Sequence, residues 1–122
     1  MNKRNRIVLR KIIEESAALA KLLHDIDEQT FLANDEKMRA TCMTIINIGE
    51  LAKNLDEGFR KSYAHIPWKD MVGLRDVSAH GYFTLRMPDI WVFATEEFPT
   101  YAMQIKEILE SEEKTNRSGA PT

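Results

Sequence analysis

Cysteine occurs once in the 122 residues, at Cys42. A single thiol excludes an internal disulfide and a thiolate-only metal site, and it fits a reducing compartment. Long apolar runs are missing too. No stretch reaches the roughly 18 to 20 residues needed to cross a bilayer, so no membrane partner is expected. The basic start (Lys3, Arg4, Arg6) meets Glu14 and Glu15 without a signal-type apolar block, and the chain reads as cytoplasmic. Charge of either sign is not in surplus: seventeen Lys plus Arg against nineteen Asp plus Glu leave a formal −2. Without a broad cationic surface for a long duplex, any nucleic-acid contact must be local. Gly49, Gly58, Gly73 and Gly81 stand singly, so there is no phosphate-cradling loop of the P-loop kind. A Gly-x-Ser-x-Gly turn that would expose a nucleophile is absent as well. None of His24, His65 and His80 has a second ligand at the spacing of a local metal site, so neither metal nor cofactor is expected. His24 sits among Asp25, Asp27 and Glu28, which read as a polar helix end.

What is present is helical periodicity. From Arg6 to Ile26, Val8, Ile12, Leu19, Leu22, Leu23 and Ile26 recur at steps of three, four and seven. Asn34 or Asp35 can cap a second helix whose apolar face runs from Met38 through Cys42, Ile45, Ile48 and Leu55 and should end near Gly58. Residues 56–66 have turn-like composition with two isolated aromatics, Phe59 and Tyr63, and read as a loop or one short helical turn packed back on the core. Pro67 presets a first turn for a third helix carrying Trp68, Met71, Val72 and Leu74 and ending by Gly81. A fourth stretch starts around Met87 to Asp89 and runs to Leu109, with Pro99 kinking or dividing it. Beyond Leu109 the chain turns polar and reads as a frayed tail. The expectation is an all-α protein, a four- to five-helix up-and-down bundle, with one domain over residues 1–112 and a disordered tail over 113–122.

The chemistry concentrates in one place. Gly73 to Tyr82 puts a guanidinium (Arg75), a carboxylate (Asp76), a hydroxyl (Ser78), an imidazole (His80) and a phenol (Tyr82) within eight residues. Arg75 offers a planar fork of donors suited to phosphate, and an imidazole with an unperturbed pKa of about 6.5 exchanges protons near neutrality. Together they suit phosphodiester cleavage without metal: His80 removes the proton of a ribose 2′-hydroxyl or protonates the leaving 5′-oxygen, while Arg75 stabilises charge developing on phosphate. The same residues also fit a plain helix terminus, with Arg75 and Asp76 as a surface ion pair and His80 on the last carbonyls. Five helical residues advance about 7.5 Å and rotate roughly 140°, so one copy makes a poor site. Two copies facing one cleft across a two-fold axis would gather two Arg and two His around one phosphate, which makes a homodimer the mechanistic expectation.

The pattern Arg75-x4-His80-x-Tyr82 resembles the Arg-x4-His-x-Tyr motif of HepT-like toxins, small helical ribonucleases of the HEPN superfamily. Residues 46–55 are similar to that family's second-helix stretch, and Ile66-Pro67-Trp68 with residues 71–75 is similar to its approach to the motif. The likeness covers nearly the whole chain from about Arg6 to Leu109. It implies a dimeric helical bundle that cuts RNA without metal, encoded beside a minimal nucleotidyltransferase that acts as its antitoxin. Carried over by position, Arg75 and His80 are the catalytic pair, Asp76 orients the site, and Tyr82 is the phenol that the antitoxin modifies with AMP. Glu50, in the matched second-helix stretch, is a candidate supporting carboxylate, although a solvated helix face would also account for it.

Outside the motif, Trp68, Trp91, Phe93, Phe98 and Tyr101 read as core or dimer interface rather than base-stacking platforms, and Met38, Met43 and Met71 as gap fillers. Lys3, Arg4, Arg6, Arg10 and Lys11 form a basic terminus that either steers a partner or is simply solvated. A rival to the enzyme is a non-catalytic module that binds nucleotide or presents Tyr82 to a nucleotidyltransferase. A second rival is a purely structural helical adaptor.

Overall fold

The computed structural model describes residues 1–74 and 85–118, and among these every regular element is helical, with no strand. Helix α1 (Lys3–Leu22) starts at Asn2, whose side chain accepts from the Asn5 N–H at 2.7 Å, satisfying a donor that the first turn leaves free. It begins and ends three to four residues earlier than the periodicity suggests. Its last carbonyl, on Leu22, accepts from the Lys37 ammonium at 3.0 Å. A short α2 (Glu28–Leu32), unforeseen in sequence, follows Asp27, whose carboxylate accepts from the Thr30 N–H at 2.8 Å. That bond holds the Asp27 carboxyl below its ordinary value. Five residues cannot sustain a helix alone. What holds α2 is Phe31, fully buried and tilted on Trp91 at 5.2 Å.

Helix α3 (Asp35–Lys53) is the central element: α1, α2, α5 and α6 all pack on it. Of the two caps the sequence offers, Asn34 is the one used, accepting from the Lys37 N–H at 3.0 Å. Asn34→Ala should lower stability by about 1 kcal/mol in urea melts. The helix stops at Lys53, short of Gly58, and a one-turn α4 (Glu57–Ser62) occupies the stretch read as loop or short turn. Buried Asn5 fastens this junction: its side-chain amide donates to Asp56 Oδ2 at 3.3 Å and its Oδ1 accepts from the Asp56 N–H at 3.2 Å.

Helix α5 (Trp68–Leu74) begins after Pro67; the rest of the predicted third helix, residues 75–81, lies outside the described residues. Helix α6 (Met87–Val92) starts within the Met87–Asp89 range the sequence suggested, with Pro88 in its first turn. Residues Phe93–Glu97 then form a π turn that joins it to α7 (Phe98–Ser118). The π turn is how Pro99 is accommodated. Proline lacks an N–H and crowds the carbonyl four residues back, and a wider turn ahead of it relieves both effects without breaking the rod.

α7 runs to Ser118, past Leu109 where a frayed tail was expected. Long-range ties explain the extension: Glu112 accepts from the Tyr63 phenol at 2.9 Å and from the terminal ammonium of Met1 at 3.3 Å, and Glu113 pairs with Arg10. Arg4 likewise donates to Asn54 Oδ1 at 3.1 Å. Two cations of the basic terminus thus clasp the bundle. Burial and the neighbouring Glu112 push the Tyr63 phenol above its ordinary value. A raised folded-state value means stability is retained below the unfolded tyrosine value, near 10, and lost as pH rises through the folded one. Urea melts above pH 10 should show that decline, and Tyr63→Phe should flatten it.

The core runs along α1, α3, α5 and α7, with Leu9, Ile12, Ile45, Ile48, Met71, Phe98 and Ile105 at 0–1% exposure. Trp68 belongs to it and donates its indole N–H to the Tyr63 carbonyl at 3.0 Å. Met71 fills a gap there, but Met43 does not, standing 59% exposed on α3.

Candidate active site

The motif side chains Arg75, Asp76, His80 and Tyr82 lie outside the described residues, so the site is located by what brackets it. On the near side, α5 packs on α3 through fully buried Met71 and ends at Leu74, one residue before Arg75. On the far side, Met87 opens α6 with its sulfur 3.9 Å from Cys42 Sγ, again on α3. The helices that flank the motif in the chain are therefore both anchored to α3. Leu74 and Leu85 also line the same groove, of about 440 Å³, together with Arg86, Asp89, Phe93 and Glu97. The described residues on either side of 75–84 thus border one groove.

Arg86, to which the sequence reading gave no role, stands at that return. Its Nε lies 3.8 Å from Asp89 Oδ2, with the two side chains 78% and 70% exposed. Such a pair is weak in water, so Arg86 keeps its charge available to an anion in the groove. A cation just ahead of a Pro-initiated helix was the available signal.

Glu50 is exposed on α3, in a second groove formed with Lys11, Glu14, Glu15 and Asn47 between α1 and α3. It lies eight residues, about 12 Å of helix, beyond Cys42. Its helix thus also carries both anchors of the motif segment. Cys42 itself is buried, and burial raises its thiol above the ordinary value, which leaves it a packing residue rather than a nucleophile. His24 pairs with Asp25 at 3.1 Å in full solvent, at a polar turn where Asp25 adopts φ 60°. His65 meets the edge of the Tyr63 ring, centroids 6.3 Å apart. Among the described residues no three His, Cys, Asp or Glu side chains converge as a metal site requires, and no helix is long and apolar enough to cross a membrane.

The model of a family described as HepT-like, ribonuclease HepT-like, matches residues 12–108, a span that includes Glu50 and the whole motif. A candidate RNase of Caldanaerobacter subterraneus is 34% identical over 104 residues, covering 85% of this chain and 93% of the relative. A candidate RNase of Methanocaldococcus jannaschii is 32% identical over 104 residues, 85% of this chain and 86% of its own. The probable ribonuclease HepT of Thermococcus cleftensis is 26% identical over 100 residues, 82% and 91% of the two chains. No solved structure matches.

Proposed function

The chain belongs to the HepT-like ribonuclease family of the HEPN superfamily, and from that premise we propose that it is a metal-independent endoribonuclease toxin, held in check by a cognate minimal nucleotidyltransferase. The observation that carries the reading is the intact Arg75-x4-His80-x-Tyr82 sequence, set between two helices that are both seated on α3.

In the reaction, His80 accepts the proton of the ribose 2′-hydroxyl as that oxygen attacks the adjacent phosphorus, or returns a proton to the departing 5′-oxygen. Arg75 presents its fork of donors to the phosphate oxygens as charge builds on them. Asp76 orients the guanidinium, and Glu50 supports the site from α3. The homodimer supplies two such pairs to one cleft, which offsets the poor convergence of residues five apart and concentrates positive charge that the whole chain lacks.

Neutralisation follows from position. AMP attached to Tyr82, two residues from His80, sets an anionic phosphate and a purine where the substrate strand must lie, and so blocks and repels RNA together. Incubation with the partner nucleotidyltransferase and ATP should raise the mass of the chain by whole AMP residues and stop cleavage. Tyr82→Phe should take no AMP and stay active. Modification that persists in Tyr82→Phe would contradict the assignment. RNA left intact by the unmodified protein would instead favour the non-catalytic binding module.

A further inference from the structure

A chain of net charge −2 can hold RNA only through local cationic surface, and among the described residues a groove outside the motif offers it. A groove of about 540 Å³ between α4 and the start of α5 is lined by Arg60, Lys61 and Lys69 against a single carboxylate, Glu57. Glu57 is committed to Lys61 at 3.2 Å. Among the described residues neither Arg60 nor Lys69 forms an ion pair, and the Arg60 Nε is shielded from solvent with no acceptor. Two uncompensated cations therefore share one groove, one of them with a desolvated donor.

The fold holds them in place. Each follows an aromatic residue of the core wall: Arg60 comes after Phe59 and Lys69 after Trp68, and those two rings pack at 6.1 Å. Trp68 is 4% exposed and its indole N–H is already spent on Tyr63, so the wall is fixed before any ligand arrives. One residue lining the groove is also close to the motif along the chain. Val72 lines it, and Val72 is three residues before Arg75, which limits the separation of their Cα atoms to about 11 Å.

We propose that this α4–α5 groove is a phosphate-binding subsite for the single-stranded RNA substrate, with Arg60 and Lys69 gripping backbone phosphates beside the scissile one. The proposal rests on the ribonuclease reading, but its test is separable from cleavage. Binding of a fluorescent single-stranded RNA is measured by anisotropy in the full-length His80→Ala protein, with and without Arg60→Gln and Lys69→Gln. Each lost phosphate contact should lower the salt slope by about 0.7, which at 0.1 M salt is about five-fold in affinity, or about 25-fold for the pair. Lys21→Gln with Lys106→Gln removes the same charge from exposed positions elsewhere and should change affinity less than two-fold, with melting curves showing that each variant folds. Affinity and salt slope unchanged in the Arg60/Lys69 variant would overturn the subsite, whether or not the parent cuts RNA. So would unchanged RNA binding with lost binding of an acidic polypeptide, which would assign the groove to a protein partner. A loss of RNA affinity in a chain whose parent cuts no RNA would uphold the groove while overturning the nuclease.

Discussion

RNA cleavage by His80→Ala should fall about a thousand-fold below the parent, within the range that a positioned general acid or base contributes. The size follows from the reaction. Without a metal to activate it, a ribose hydroxyl is too weak an acid to attack phosphorus until a neighbouring base takes its proton, and of the residues in the motif only an imidazole changes charge near neutrality. Arg75→Lys offers a graded companion. It keeps the positive charge but loses the planar fork, so it should retain more activity than Arg75→Ala. Equal loss in both would show that the fork matters, and equal retention would show that the guanidinium is not at the reacting phosphate. Melting curves on each preparation separate chemistry from folding.

Phe31→Ala should cost about 3–5 kcal/mol, the range for a fully buried aromatic reduced to a methyl group. Phe31 has no exposed surface, and its ring meets Trp91 at 5.2 Å, so it fastens five-residue α2 to α6. Truncation leaves a cavity under α2 and removes what keeps that helix folded. The same cavity lies beneath α6, which receives the chain as it returns from the motif. Urea denaturation measures the loss. Phe31→Leu, which refills most of the volume, should recover a large part of it.

Much of the fold was legible because local rules and tertiary packing agree. The periodicity of α3, its Asn34 cap and the start of α6 at Met87 are each set by neighbours in sequence, and each appears in place. The differences arise where distant residues decide. α2 exists because Phe31 is buried against a helix sixty residues away, which no five-residue window reveals. α7 extends to Ser118 because Met1 and Arg10, from the other end of the sequence, and Tyr63, from its middle, bind Glu112 and Glu113. The π turn reconciles Pro99 with a continuous rod, where proline alone suggested a kink or a break. The motif was legible as chemistry, since its side-chain types crowd into eight residues, and the described helices on either side of it both pack on α3. The pairing of Arg60 with Lys69 was not legible: they sit nine residues apart across a break between helices, and only folding brings them to one groove.

The most direct test of the account is the chemistry of the cut ends when a defined single-stranded RNA is incubated with the protein in excess chelator. Attack by the 2′-hydroxyl leaves a 2′,3′-cyclic phosphate on one fragment and a 5′-hydroxyl on the other, and both should appear with the parent and vanish with His80→Ala. Ends bearing 3′-hydroxyl and 5′-phosphate, formed only when a divalent metal is restored, would contradict it.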